Sequence, residues 1–415
     1  MGTSARRMIP MSGRDPVEVG RTATTLELMF DLTFVIGFGT AANEFAGYLA
    51  HGQVRVGITG FLMATFAVAW AWMNWSWFAS AYDTDDWVYR LLTMVTMIGV
   101  LILALGLPRL FDSLARGGQV DTTTMVLGYV VMRVPMVIQW LRAAKADPPR
   151  RQICRLYAWT IAASQTGWVL LAVARPSQGP AVAGALVLIC VELLGPILVA
   201  RYRGGTPWHP HHIAERYGLL IIIALGEGLI GTASSLGAIL GPGGSGWSLD
   251  FALIGLAGVG VSFGVWWSYF IFPSGLLLQH HRERSALWGY GHIPLFIAVV
   301  AIGAGLHVAA YRLDDDSVLG PVGTVWSVAI PVAIYVALLY GLFVALTRAH
   351  DPLHLWLVLA SAALVAVALM MAGAGLALSW CLLGLAVVPW VTVAGYELVG
   401  HRHQAERLTD ADTVR

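Results

Sequence analysis

The sequence predicts an all-α integral membrane protein, and three observations carry that prediction. Of the 415 residues, 57% are hydrophobic and only 12% are charged, whereas a soluble domain carries about 25% charged residues. The mean hydropathy is +0.70. Apolar runs of about 20 residues, the length that crosses a bilayer, recur about twelve times along the chain. We therefore expect about twelve transmembrane helices, with the lipid bilayer as the surrounding partner.

The predicted spans follow one another with short connections. They lie near residues 26–49, 55–80, 90–110, 122–142, 153–174, 181–201, 212–235, 250–272, 288–311, 323–347, 353–374 and 376–399. Residues 1–25 and 400–415 are expected to be polar tails. The first tail is rich in Arg, Gly and Thr and is expected to be mostly disordered.

The distribution of Lys and Arg predicts the orientation in the membrane. Most of the 25 Lys and Arg residues fall in segments on the same side as the N-terminus. The segments of the other side hold only Arg55, Arg109, Arg116, Arg175 and Arg312. Because cytoplasmic loops carry an excess of positive charge, both termini are predicted to face the cytoplasm.

The two halves of the chain share residues in the same order. The corresponding pairs are Glu27 and Glu215, Trp77 and Trp267, and Pro135 and Pro331. Residues 26–203 and 212–399 would each hold six spans, which is an even number. They are therefore predicted to be parallel six-helix repeats related by an axis along the membrane normal. Chance matching among apolar sequences is the alternative.

Charged residues inside the first and seventh predicted spans form the leading candidate site. Glu27 and Asp31 are four residues apart and share a helix face, and Glu227 follows Arg216 by about three turns on one face. An unpaired carboxylate in hydrocarbon costs roughly 2.5–3.5 kcal/mol or more. We therefore predict that these residues and Glu215 line one polar cavity, in which Asp31 or Glu227 exchanges a proton. The alternative for Glu27 and Glu215 is that the helix dipole favours acids near a helix start.

Three more ionisable residues lie inside predicted spans and are candidates for solute or ion binding. Arg133 and Glu192 lie near the middle of the fourth and sixth spans, where a structural ion pair is the alternative to a functional role. His292 lies in the ninth span and could act as an acid–base group with Asp31 and Glu227.

The connection between the second and third spans is acidic. It holds Asp83, Asp85, Asp86 and, just beyond them, Arg90. Three carboxylates could bind a divalent cation through their oxygens, but a solvated loop or ion pairs with Arg side chains are the favoured interpretation. The histidines at 209, 211 and 212 are interpreted as an interfacial cluster, because no Cys or acid completes a metal site beside them.

Nothing in the sequence predicts a nucleic-acid partner, a metal ion or a cofactor. The net charge of +1 leaves no strongly basic surface. The three cysteines, Cys154, Cys190 and Cys381, are too widely spaced for a disulfide framework or a metal motif. Phosphate-binding loops, nucleophile motifs and metalloprotease motifs are also absent from the sequence.

Four motifs carry a resemblance to a known family. They are residues 26–32 (LELMFDL), 82–86 (YDTDD), 214–219 (AERYGL) with 224–227 (ALGE), and 290–295 (YGHIPL). In this order they resemble the signatures of the bacterial low temperature requirement protein A (LtrA) family. Met29 stands where the family commonly has Phe, and Gly228 where it commonly has Ser. The resemblance implies a multi-spanning protein of the bacterial inner membrane and assigns no chemistry to it.

The leading hypothesis for function is secondary transport of a small solute, coupled to protons or another ion. Because the sequence lacks a nucleotide-binding motif, the energy would come from an ion gradient. The alternatives are an intramembrane acid–base enzyme that uses Asp31, Glu227 and His292, and a non-catalytic sensor or assembly factor for cold fitness, as the family name suggests. A polar cavity would favour transport, whereas fully paired carboxylates in packed protein would favour the structural or sensory role.

Overall fold

A computed structural model describes residues 8–203, 205–241, 247–348 and 351–400, and within them the chain is almost entirely α-helical. The helices are α1 (Thr25–Ala50), α2 (Val54–Tyr82), α3 (Trp87–Arg116), α4 (Thr123–Ala146), α5 (Arg151–Ala174), α6 (Gln178–Arg203), α7 (Pro210–Leu240), α8 (Leu249–Phe270), α9 (Ser274–His280), α10 (Ser285–Leu313), α11 (Pro321–Thr347), α12 (Pro352–Gly373) and α13 (Leu378–Gly395). The polar tail predicted at 400–415 lies outside the described residues, except for Gly400.

Twelve segments of the described chain are long and apolar enough to cross a bilayer, which confirms the predicted all-α polytopic class. The short helix α9 extends the segment of α8 rather than adding a span. In the 18-residue apolar stretch of α6, only 17% of the residues are buried. Apolar side chains such as Leu186, Val187 and Leu194 are more than half exposed. Exposed apolar surface of this extent belongs in contact with lipid.

Short polar motifs determine where several spans begin. At the start of α1, the Thr24 N–H donates to Glu27 Oε2 at 2.8 Å, and the Glu27 N–H donates to Thr24 Oγ1 at 3.2 Å. This reciprocal arrangement is a capping box. Asp86 caps α3 by accepting from the Tyr89 N–H at 2.8 Å. The carboxylates near these helix starts therefore satisfy backbone donors that a helix leaves unpaired.

The chain forms two compact units, and neither is continuous in sequence. Unit 1 comprises Met1–Ala41 and Thr59–Arg216, and unit 2 comprises Ala42–Ile58 and Tyr217–Arg415. Helix α7 therefore contributes its first turns to unit 1 and the rest to unit 2. These unit boundaries differ from those of the predicted repeats 26–203 and 212–399, and the repeat relationship itself stays a prediction.

In unit 1, the neighbouring helices α3 and α4 approach closely through glycines. A Cβ on Gly99 would lie 2.7 Å from the carbonyl oxygen of Gly128, and a Cβ on Gly128 would lie 2.7 Å from the carbonyl oxygen of Gly99. Real Cβ contacts are not this short, so glycine is required at both positions. Small residues at such crossings let transmembrane helices pack backbone to backbone.

In unit 2, α7 and α10 meet at a similar contact, which we call the glycine crossing (Glu227, Gly228, Gly231 and Gly303). A Cβ on Gly303 would lie 2.6 Å from the backbone carbon of Glu227 and 2.8 Å from the nitrogen of Gly228. A Cβ on Gly231 would lie 2.7 Å from the carbonyl oxygen of Gly303. In the 18-residue apolar stretch of α10, 89% of the residues are buried, which is the highest share among the twelve described spans. The crossing therefore lies in the interior of the protein.

The N-terminal segment (residues 8–24) packs against the helices of unit 1. The Ile9 N–H donates to Asp86 Oδ2 at 3.2 Å, and the Arg14 N–H donates to the Ala81 carbonyl at 2.9 Å. Met11 is only 1% exposed. The prediction of a mostly disordered segment is therefore wrong for residues 8–24. Its polar groups bond to the connection between α2 and α3, which composition alone does not reveal.

The substitution Gly303→Ala tests the glycine crossing. The added methyl group would overlap the backbone of α7, so we expect an overpacking loss of about 1–3 kcal/mol and a lower thermal midpoint in detergent. Gly226→Ala is the matched control, because a Cβ at Gly226 meets no atom within 4 Å. Equal midpoints for the two variants would contradict the crossing.

Candidate functional site

Unit 1 contains a buried charged cluster (Glu27, Asp31, His212 and Arg216). Glu27 and Asp31 lie one turn apart on α1, and His212 and Arg216 lie one turn apart on α7. Each of the four residues is at most 1% exposed. The i,i+4 spacing on both helices places each pair on a single face, so two acids of one helix meet two bases of the other.

Arg216 is the centre of this cluster. Its Nε donates to Asp31 Oδ2 at 3.2 Å, and its Nη2 donates to Asp31 Oδ1, so the guanidinium binds that carboxylate through two nitrogens. Its Nη1 lies 2.9 Å from Glu27 Oε1, an ion contact whose angle does not make a hydrogen bond. The guanidinium carbon also lies 5.2 Å from the ring centroid of Trp75. Fork-like bonding and an aromatic face are the contacts that suit a buried arginine.

The two carboxylates have further donors. The indole N–H of Trp72 donates to Asp31 Oδ1 at 2.6 Å. His212 Nε2 lies 3.2 Å from Glu27 Oε2, which also accepts the Thr24 N–H of the capping box. Removing two charges from water is expensive unless the remaining lone pairs find donors. Here Asp31 and Glu27 Oε2 have such donors, and Glu27 Oε1 has the charge of Arg216 Nη1 at 2.9 Å, so the charges of both acids are compensated.

Arg21 adds a second buried cation beside the cluster. It is 9% exposed and donates to the carbonyl oxygen of Ala79 at 3.1 Å. Burial and the charge of Arg14 lower the pKa of Arg21, while the carboxylates of Glu27 and Asp83 act in the opposite direction. The arginines therefore offset the acids at this end of unit 1, which favours a structural role for the charged cluster.

Glu215 does not join the charged cluster. It is exposed, and its Oε2 accepts the Ala23 N–H at 3.2 Å. The predicted grouping of Glu215 with Glu27, Asp31 and Arg216 in one cavity therefore differs from the structure. The reason is helical geometry, because successive residues on a helix point about 100° apart. Glu215 instead holds the N-terminal segment in place.

The acidic connection is divided among different cations. The partners are Arg14 for Asp83 at 3.8 Å, Arg90 for Asp85 at 2.6 Å, and Arg142 for Asp86 at 2.7 Å. Among the described residues, no three His, Cys, Asp or Glu side chains are placed to hold a metal ion together. This arrangement supports the interpretation as ion pairs over the cation site.

Asp83 is a buried acid of this connection, and its pKa is raised. Its side chain is buried, and its Oδ1 accepts the Asp85 N–H at 2.9 Å. Burial, and after it the nearby charge of Glu27, raises the pKa of Asp83 from 3.8 to about 6. The protonation state of this residue therefore changes in a range close to neutral pH.

Arg133 and Glu192 form a separate buried ion pair in unit 1. Arg133 Nη2 lies 3.1 Å from Glu192 Oε2, and both side chains are 5% exposed. The indole N–H of Trp70 donates to the same carboxylate oxygen. The Arg133 guanidinium carbon lies 5.3 Å from the ring centroid of Tyr129. The two mid-span residues singled out in the sequence are therefore brought together.

Glu227 belongs to unit 2 and differs from all of these acids. It is 2% exposed and lies at the glycine crossing with Gly303. No residue in the described part of the chain forms a hydrogen bond or an ion pair with its carboxyl group. Glu227 is therefore a buried acid without the compensation that Glu27, Asp31 and Glu192 have.

His292 has partners for both ring nitrogens and lies far from Glu227. Its Nδ1 lies 2.8 Å from the Trp288 carbonyl, so Nδ1 carries the hydrogen, and the neutral Nε2 accepts from the Tyr269 hydroxyl at 3.1 Å. Gly303, which faces Glu227, is eleven residues further along α10, or about 16 Å. The structure therefore does not bring the proposed acid–base pair of His292 and Glu227 together.

Three functional side chains were missed or misassigned by sequence reasoning. The sequence placed His212 in an interfacial cluster and paired Trp72 with no acid, yet both contact acids of the charged cluster. The position of His212, four residues before Arg216, was the available signal. His307 is the third: its Nε2 is buried without a hydrogen-bond partner among the described residues. A second His in the apolar span that holds His292 was its signal.

Comparisons with known proteins cover most of the chain. A model of the family described as "Bacterial low temperature requirement A protein (LtrA)" matches residues 22–389. The chain is also similar to Uncharacterized protein RA0937 of Rhizobium meliloti (strain 1021). The two are 24% identical over 328 residues, which are 72% of this chain and 75% of that protein.

Removal of the central guanidinium tests the charged cluster. In Arg216→Gln, two buried carboxylates lose their main cation, and breaking such a pair costs about 3–5 kcal/mol. We expect a large fall in thermal midpoint and a partial recovery when Asp31→Asn is added. Arg90→Gln is the matched control, because that arginine pairs with Asp85 at an exposed position. A midpoint for Arg216→Gln as high as that of the control would contradict the role of Arg216.

The raised pKa of Asp83 predicts a pH-dependent stability. Between about pH 4 and pH 6 the folded state binds this proton more tightly than the unfolded state, so the stabilising contribution is lost as the pH rises through about 6. In Asp83→Asn the side-chain amide oxygen can still accept the Asp85 N–H, as Asp83 Oδ1 does. The buried negative charge is removed. We expect it to raise the thermal midpoint at pH 8, to raise it about half as much at pH 5, and to change it little at pH 4, close to the unfolded pKa of 3.8. The exposed Asp85→Asn should not reproduce this difference, and an equal effect at pH 8 and pH 4 would refute the assignment.

Proposed function

The chain belongs to the bacterial low temperature requirement A protein (LtrA) family, and from this premise and its buried charges we propose that it is a secondary transporter. It would move a small solute across the membrane with energy from a proton gradient. Within this proposal it lies in the bacterial inner membrane with both termini in the cytoplasm, as the placement of Lys and Arg supports.

The observation that carries the proposal is the state of Glu227. Glu227 is 2% exposed, and its carboxyl group has no hydrogen bond or ion pair from the described residues. An isolated carboxylate in such a place is expensive, and a buried acid without a counter-charge binds a proton instead. Glu227 in this conformation would therefore hold a proton.

A proton on Glu227 can leave only when water or another acceptor reaches the glycine crossing. Release therefore requires a conformational change, and that requirement couples proton movement to alternating access. Three hydroxyl groups, of Thr232, Ser235 and Ser262, line neighbouring positions and each donates to a helix carbonyl. Because a hydroxyl oxygen that donates can also accept, these groups, two on α7 and one on α8, would accept hydrogen bonds from water that enters the crossing.

The glycine crossing suits such a change of conformation. Gly231 and Gly303 let α7 and α10 touch through their backbones close to Glu227. Smooth contacts of this kind permit helices to shift with little repacking. Glu227 would then gain or lose access to water through a movement of α7 against α10.

A second candidate function, a non-catalytic membrane sensor or assembly factor, has an observation of its own. In unit 1 the acids Glu27, Asp31 and Glu192 are all paired in packed protein. That arrangement supports a fixed scaffold, and the family description refers to a requirement at low temperature. The unpaired Glu227 is the feature that a purely structural protein does not need.

The substitution Glu227→Gln tests the transport proposal. Purified protein is reconstituted into liposomes that contain a pH-sensitive dye, and a panel of amino acids, sugars, amines and carboxylic acids is added outside. We expect wild-type protein to move protons with at least one solute class and Glu227→Gln to lose that movement while assembling normally, because glutamine cannot exchange the proton.

Glu283→Gln is the matched control, since the side chain of Glu283 is 68% exposed. It should retain wild-type proton movement. In a strain that lacks the gene, Glu227→Gln should also fail to restore growth at low temperature. If that variant is assembled and restores growth in full, or moves protons with solute as the wild type does, the proposal should be abandoned.

A further inference from the structure

Unit 1 encloses a cavity that belongs neither to the charged cluster nor to Glu227. Its volume is about 50 Å³, and its walls come from α2, α4, α5 and α6. Aromatic rings and one acid define its character, among them Phe66, Trp70, Tyr129, Trp168 and Glu192. One water needs roughly 10–15 Å³ of such space. The cavity therefore has room for a molecule of a few non-hydrogen atoms.

The acid in the wall has one oxygen in use and one available. Both hydrogen bonds to Glu192, from Trp70 and Arg133, reach Oε2. Among the described residues, none donates to Oε1. The side chain is only 5% exposed. A buried carboxylate oxygen beside an open space accepts a hydrogen bond from whatever fills that space.

The charge of the site restricts the ligand. Arg133 already neutralises Glu192 at 3.1 Å, so a cation or an anion would bring an uncompensated charge into the interior. An uncharged molecule adds none. Its donor group would bond to Oε1, and its apolar part would lie against Phe66 and Trp70, whose rings are nearly parallel at 11° with centroids 6.1 Å apart.

We propose that this cavity binds a small uncharged molecule with one hydrogen-bond donor and an apolar body, such as a short-chain alcohol. The donor group of the ligand bonds to Glu192 Oε1, and its alkyl part packs against the aromatic rings. The site is independent of proton exchange at Glu227, so either proposal can fail without the other.

The test uses 1-propanol and its isomer methoxyethane, which has the same atoms but no donor. The protein is labelled with 5-fluorotryptophan, and the fluorine resonance of Trp70 is followed in detergent. Trp266 is 45% exposed, so its fluorine resonance reports alcohol that enters the micelle without binding in the cavity. We expect 1-propanol to shift the Trp70 resonance saturably, with a dissociation constant on the order of millimolar for so few atoms, and methoxyethane to leave it unchanged.

Filling the cavity provides the matched variants. Ile189→Phe places a ring in the cavity wall and should abolish the saturable shift. Val187→Phe makes a similar change two residues away at a position that is 63% exposed and should retain it. Ala185→Val, also in the wall, serves if Ile189→Phe does not fold.

Three results would overturn the proposal. The first is a Trp70 shift that does not saturate and follows that of Trp266. The second is an equal response to methoxyethane. The third is a saturable shift that survives in a folded variant with a filled cavity.

Discussion

No bulk water surrounds a side chain at the centre of a bilayer, so an ionised group there needs its counter-charge inside the protein. The described part of unit 1 follows this constraint closely. Arg216 bonds to Asp31 and contacts Glu27, Arg133 bonds to Glu192, and aromatic rings cover both guanidinium groups. These pairs join residues distant in sequence, so the same contacts that neutralise charge also hold the helices together.

Glu227 is the departure from this constraint, and its surroundings differ accordingly. It lies where glycines bring α7 and α10 into backbone contact, and no described residue compensates it. His307, one turn beyond Gly303 on α10, has a buried ring nitrogen that is also without a partner. A protein that only had to be stable would gain by replacing both groups with apolar ones. Their presence at one crossing supports the proposal of proton movement.

Much of the fold could be predicted from the sequence, because one physical property dominates it. Apolar runs of bilayer length predicted twelve spans, and those spans are confirmed. The packing of the N-terminal segment (residues 8–24) against the helices could not be predicted from hydropathy. It depends on bonds from Ile9 to Asp86 and from Arg14 to Ala81, which form only after α2 and α3 are in place.

The candidate site was predictable as a set of residues but not as a set of pairs. Charged residues inside predicted spans identified Asp31, Arg133, Glu192, Arg216 and Glu227. Which of them pair depends on the rotation of each helix about its axis and on its position along the membrane normal. The hydropathy pattern determines neither. Helix periodicity did contain part of the answer, since His212 lies one turn before Arg216 and Glu215 points elsewhere. The parallel repeat and the cytoplasmic location of both termini stay predictions.

The protonation state of Glu227 is the central claim, and infrared difference spectroscopy measures it most directly. The protein is compared with Glu227→Gln in lipid nanodiscs at neutral pH. A protonated carboxyl group has a carbonyl stretching band well separated from that of a carboxylate. We predict that this band is present in the wild type and missing in the variant. A spectrum in which the variant loses a carboxylate band instead would mean that Glu227 is ionised, and it would contradict the account.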